Sequence, residues 1–270
     1  MNNFSVCVLL LAILSINNIH CQTNSNKYQE ILDRATQNGL PAIAALIQAS
    51  GESEWKGSSG FSSVEEAIPL DINQSFRLAS ITKIFTTLVV LQLVDEQKIK
   101  LTDNIALYLD TEIKNKIPYI ESINILQLLS HSSGIYSFTE NNDFWKEGFF
   151  EGGMSRTWKP EELIGYIDNK KPVSKPLAAY SKKMYSNTNF ILLGMIIEKV
   201  TGNQLSEEYQ TRIFSKLKMA NTFLEGYDIQ GRKPVDAYAI PNSSFLKSAV
   251  RRNSLKSVSD DKLFNLSKEY

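Results

Sequence analysis

Cysteine is almost absent from this sequence. Its 270 residues hold two, Cys7 and Cys21, both within the first 21 positions, and that segment contains no Lys, Arg, Asp or Glu. If cleavage falls after Cys21, the remaining chain has no disulfide, no thiol nucleophile and no cysteine metal site. Histidine is equally scarce. Only His20 and His131 occur, which excludes zinc bound by several histidines and leaves His131 alone to serve any Ser-His-Asp triad. Net charge is missing too: 29 basic residues balance 29 acidic ones. No field draws the chain to nucleic acid or to an anionic membrane surface. Long apolar runs are lacking as well. The longest, Phe4 to Ile16, falls short of the roughly 17–25 residues that span a bilayer but suits the core of a secretory signal.

What is present is ordinary for a globular protein. A composition of 43% hydrophobic, 21% charged and 10% aromatic residues excludes wholesale disorder and collagen, and the length suffices for one large core or two modest ones. Residues 1–21 are expected to be a signal peptide and 28–270 one folded domain. The product is then secreted, periplasmic or held in the cell envelope. It is expected to be a monomer without a membrane span, acting on a small-molecule or peptide-like substrate.

Pro41 to Ala49, the turn Ser50-Gly51-Glu52 and the stretch Glu54 to Gly57 predict a hairpin. From Ser80, Ile81, Ile84, Phe85, Leu88, Val89 and Leu91 to Val94 recur at helical spacing, predicting a buried helix that starts at or next to Ser80. A second apolar helix is expected from Phe190 to Val200, capped by Gly202. Shorter helices are expected at Ile125–Leu129, Pro160–Asp168 and Ser206–Leu217. Beyond Gly231 periodicity fades, and Arg251 to Lys256 reads as a solvated basic loop.

A serine hydroxyl is a weak nucleophile near neutral pH, so an enzyme that uses it supplies a base and a site for the developing oxyanion. Lys83, three residues after Ser80, shares its helix face, and the helix N-terminus turns its partial positive charge toward the serine. Burial of Lys83 among Ile81, Ile84 and Phe85 is expected to disfavour its charged form. The spacing alone proves little, since Ser-x-x-Lys also starts at Ser53, Ser215, Ser244 and Ser259. Only Ser80 opens a long apolar helix.

The segment Phe76-Arg77-Leu78-Ala79-Ser80-Ile81-Thr82-Lys83, with Leu91-Gln92-Leu93-Val94-Asp95-Glu96 after it, resembles the active-site segment of the serine β-lactamase and penicillin-binding superfamily. It looks most like the branch of class C β-lactamases, D,D-carboxypeptidases and related esterases and D-aminopeptidases. Leu128-Leu129-Ser130-His131-Ser132-Ser133-Gly134 is similar to the family's Leu-Leu-x-His-Thr-Ser-Gly turn, and Tyr185-Ser186-Asn187 to its Tyr-x-Asn motif. The resemblance implies an α/β (α+β) fold of β-lactamase/transpeptidase type, an antiparallel sheet flanked by helices plus a mostly helical subdomain. It implies no cofactor and no metal. It also implies that Ser80 is acylated, that Lys83 relays the proton, that Tyr185 is general base and later acid, and that Asn187 binds the substrate amide. His131 is expected to order a turn away from the chemistry, and Arg77 to pack or pair.

The family's further motif, Lys-Thr-Gly or His-x-Gly on a late strand, has no counterpart after Tyr185. The glycines there are Gly194, Gly202, Gly226 and Gly231, none preceded by Lys or His two residues earlier. The sheet is therefore expected to be incomplete and the oxyanion hole to lack its second donor. Two readings follow: an active hydrolase cleaving an amide, lactam or ester bond, or a truncated or diverged relative that keeps a binding scaffold and turns over poorly.

Overall fold

The structure, a computed structural model, describes residues 25–51, 53–145, 157–167, 172–176, 184–227, 234–239 and 264–265. The expected signal segment and the basic stretch Arg251 to Lys256 lie outside these residues. The chain divides into two compact units, Met1–Arg77 with Lys233–Ile240, and Leu78–Arg232 with Pro241–Tyr270.

In the first unit, helix α1 (25–37) precedes a three-stranded antiparallel sheet of order β1-β2-β3. β1 (Ala42–Ile47) pairs with β2 (Trp55–Ser63) in the register Ala42 to Gly60 through Ile47 to Trp55. β3 (Ile68–Pro69) pairs with β2 across a register shift. The expected hairpin forms, with its second strand extended to Ser63. α1 is tied to it by the Tyr28 and Trp55 rings, 5.2 Å apart, and by Gln29 Nε2 donating to the Ser58 carbonyl at 3.0 Å. Arg77 Nη1 donates to the Val235 carbonyl at 3.2 Å.

The second unit is helical. A 3-10 turn, Ala79–Ile81, leads into α2 (Thr82–Asp95). Then come α3 (Thr111–Asn115), α4 (Ile125–Leu129), α5 (Pro160–Gly165), α6 (Thr188–Thr201) and α7 (Leu205–Tyr209), the last continuing as a π segment over Gln210–Phe214. Asn124 and Gln127 form a reciprocal capping box on α4. α6 ends on Gly202 at φ 75°, a conformation that costs glycine little because it has no Cβ. Leu192, Leu193, Ile196 and Ile197 of α6 pack with Val89, Val90 and Leu93 of α2 and with Tyr209, Ile213 and Phe214 in one core.

Burial of α2 is narrower than its composition predicts. Ile81, Ile84, Leu88 and Leu91, on one face at helical spacing, are 54%, 57%, 40% and 44% exposed. Apolar character tells which residues can be buried, not which ones a neighbour covers. Among the described residues no helix is long and apolar enough to cross a membrane.

Candidate active site

α2 and α6 are in contact, and each is preceded by a polar residue of the site. Ser80 lies in the 3-10 turn before α2, and Asn187 is the N-cap residue of α6. Two helix N-termini, with their partial positive charge and unused N–H groups, thus flank the same place. Ala79, just before the serine, is held at φ 46°, a left-handed conformation that costs a non-glycine residue on the order of 1–3 kcal/mol and that clusters at functional sites.

The four side chains singled out in the sequence come together. Lys83 Nζ donates to Ser80 Oγ at 3.1 Å and to Asn187 Oδ1 at 2.8 Å. Ser80 Oγ and Tyr185 Oη share a hydrogen bond of 3.1 Å. The Lys83 ammonium lies 5.3 Å from the Tyr185 ring centroid and 5.5 Å from that of Phe190. Its surroundings are therefore Tyr185, Asn187 and Phe190, and the exposed Ile81 and Ile84 do not bury it. At Tyr185, partial burial pushes the phenol up, but hydrogen bonding to Lys83 and Ser80 and the lysine charge outweigh it. The net direction is below the usual phenol range.

Asn187 is more engaged than its expected role as a substrate ligand suggests. Its Oδ1 accepts from Lys83, and its Nδ2 donates to Thr139 Oγ1 at 3.0 Å. One amide hydrogen remains for a substrate, and the carbonyl fixes the lysine.

His131 lies nearer the chemistry than expected. Its ring, 7% exposed, stacks on Tyr185 with centroids 4.2 Å apart and an interplanar angle of 30°. Its Nδ1 accepts the Ser186 N–H at 3.2 Å. Burial, then the nearby Lys83 charge, hold its pKa below 6.5. The unfolded chain therefore binds this proton more readily, so the stability His131 contributes is complete above about pH 6.5 and is lost as pH falls below it. We expect the thermal midpoint to drop as pH falls below 6.5, and the slope to shrink in His131→Asn. Equal slopes in the two proteins would contradict this.

The motif around His131 stitches one segment to another. Ser133 Oγ donates to Asn189 Oδ1 at 2.8 Å, and the Asn187 N–H donates to Ser137 Oγ at 3.0 Å. Thr188 Oγ1 accepts the Phe138 N–H at 3.0 Å and donates to the Tyr136 carbonyl at 2.8 Å. Gly134, at φ 76°, passes so close to Ser174 that a Cβ would sit 2.2 Å from its carbonyl oxygen. Gly134→Ala is accordingly expected to destabilise the protein by about 2–4 kcal/mol through backbone strain and overlap, read as a lower urea midpoint at unchanged slope. Ser137 and Thr139, which bond Asn187, and Phe190, whose ring lies beside Lys83, escaped the sequence reading as site residues, for nothing in their spacing marks them as such.

Comparison with known proteins gives the family and the fold. The family model described as Beta-lactamase matches residues 27–256. Teichoic acid D-alanine hydrolase of Staphylococcus aureus is 30% identical over 229 residues, 85% of this chain and 52% of that protein. A D-stereospecific amidohydrolase from Streptomyces sp. superposes with a TM-score of 0.60 at 32% identity, covering 79% of this chain and 55% of that one. A penicillin binding protein from Bacillus halodurans gives 0.63 at 22% identity, covering 84% and 61%. The chain spans about half the length of the curated relatives it matches. The fold is that of the β-lactamase/transpeptidase proteins, as the motifs implied. With most of its length matched and its motif residues gathered at one place, the chain belongs to the Beta-lactamase family of serine hydrolases.

Proposed function

We propose that this protein is a secreted serine hydrolase that cleaves an amide, lactam or ester bond through an acyl-enzyme on Ser80. The observation that carries this reading is the Ser80 hydroxyl within hydrogen-bond distance of both Lys83 Nζ and Tyr185 Oη. Tyr185, its pKa held down by Lys83, takes the serine proton as Oγ bonds to the carbonyl carbon. The Ser80 backbone N–H stabilises the oxyanion. Collapse breaks the bond to the leaving amine or alcohol, which receives the proton from Tyr185. Water then attacks the acyl ester, releases the acid and restores Ser80. Two relatives named for hydrolysis at D-configured groups support an amide or ester bond as the target. The uncharged apolar segment before residue 22 supports secretion.

The second reading, a scaffold that turns over poorly, is motivated by the absence of Lys/His-x-Gly from these 270 residues, which span about half the length of the curated relatives. Loss of a single oxyanion donor costs on the order of 10²–10³ in rate. Intact mass after incubation with a fluorescent penicillin and, separately, a fluorophosphonate distinguishes the two. A stoichiometric adduct together with turnover of an ester supports the hydrolase. A lasting penicillin adduct without ester turnover supports the impaired relative, and no adduct with either reagent on a folded sample removes the hydrolase reading and leaves the binding scaffold in its place.

A further inference from the structure

Ser80 and Lys83 border a cavity of about 400 Å³, within the range of about 300–1,000 Å³ typical of small-molecule sites. Its wall is apolar, built from Trp158 and Leu163 at α5, Phe190, Ile191 and Met195 of α6, and Leu224. Three of the polar side chains that reach it have partners within the protein. Thr86 Oγ1 and Tyr209 Oη bond each other at 2.6 Å, and Glu198 Oε1 accepts the Leu205 N–H at 2.9 Å. Gly194, buried in α6, lines the cavity without filling it. Tyr185 is not part of the lining.

That last point sets direction. In the proposed reaction Tyr185 protonates the leaving group, which therefore lies on the tyrosine side of Ser80. The group that stays on the carbonyl faces the cavity. We infer that this cavity is an acyl pocket for a bulky apolar acyl group, an alkyl chain or aryl ring much larger than the D-alanyl group for which the staphylococcal relative is named. A methyl side chain would leave most of the space unfilled, whereas each methylene entering an apolar pocket tightens binding roughly threefold to fourfold. The assignment to the acyl side rests on the hydrolase reading; the binding of an apolar chain does not.

The first test avoids turnover. Straight-chain amides from butanamide to octanamide are titrated into the Ser80→Ala protein by calorimetry, and affinity is expected to rise roughly threefold per methylene. Gly194→Leu, added to that background, puts a side chain into the cavity and should flatten the series, while Met195→Ala should prolong it. If Gly194→Leu does not fold by circular dichroism, Met195→Ala carries the comparison. Affinity independent of chain length overturns the pocket. So does a series that neither substitution alters. The hydrolase reading fails by a different sign, the absence of any adduct on Ser80, whatever the amides do. On the active chain, nitrophenyl esters with one leaving group and increasing acyl length should rise in kcat/KM. If the length of the alcohol part controls the rate and acyl length does not, the cavity holds the leaving group and the acyl assignment is wrong.

Discussion

Ser80→Ala is expected to eliminate the covalent adduct completely and to lower ester hydrolysis by on the order of 10⁴–10⁶, because no other hydroxyl replaces the attacking atom and the remaining groups act only around it. The effect belongs on kcat. Thr82 and Asn187 keep their places, and Lys83 retains its 2.8 Å bond to Asn187, so the fold should be undisturbed and thermal midpoints of wild type and variant should agree. Lys83→Met provides the companion measurement. It removes the ammonium that donates to Ser80 and Asn187 and lies over the Tyr185 ring. The Tyr185 phenol would then lose what holds it down. An adduct that persists at full rate in Ser80→Ala, or one mapped by peptide digestion to another residue, would remove Ser80 from the mechanism.

Tyr185→Phe carries the second large effect, a loss of roughly 10²–10⁴ in kcat, the usual worth of a positioned proton-transfer group. The substitution keeps the ring that stacks on His131 and deletes only the hydroxyl, so a structural role would pass unnoticed. The pH profile adds the discriminating observation. A phenolate base is present above its pKa and lost as pH falls through it. Since the Tyr185 pKa is displaced downward from 10, wild-type kcat/KM should rise with pH along a limb that ends below pH 10. Tyr185→Phe should be flat across that interval. If the limb survives in Tyr185→Phe, the base is another group.

The legible parts of the fold are those with a strong period or a strong stop. A short apolar run, then a turn at Gly51, announces the hairpin, and Gly202 ends α6 where the left-handed φ of its cap favours glycine. Ser206–Leu217 reads as one helix because its apolar spacing is helical. The chain instead widens over Gln210–Phe214, with the Ser215 N–H reaching the Gln210 carbonyl at 2.9 Å, and Tyr209, Ile213 and Phe214 all become buried. A wider turn of this kind leaves no mark in composition. At the site, Ser80, Lys83, Tyr185 and Asn187 were legible because motif and order travel with the chain. The stacking of His131 on Tyr185, and the bond of Asn187 to Thr139, were not. They depend on which residues of two segments, about fifty positions apart, happen to touch, and spacing within either segment is silent on that.

Four backbone amides in the two segments that carry His131, Tyr185 and Asn187 are secured by side chains rather than by a helix or sheet ladder. The N–H groups of Ile135, Phe138, Ser186 and Asn187 donate to Ser133, Thr188, His131 and Ser137 respectively. A ladder lets one bond break while its neighbours hold, but here three of the four bonds cross between segments about fifty positions apart, and the fourth acceptor, Ser133, itself donates across to Asn189. Opening one disturbs the others, so these amides form a single local unit with one opening free energy. Their deuterium uptake, quicker than the core of α6 and shared by all four, would follow the integrity of the catalytic geometry in a protein whose substrate has not yet been supplied.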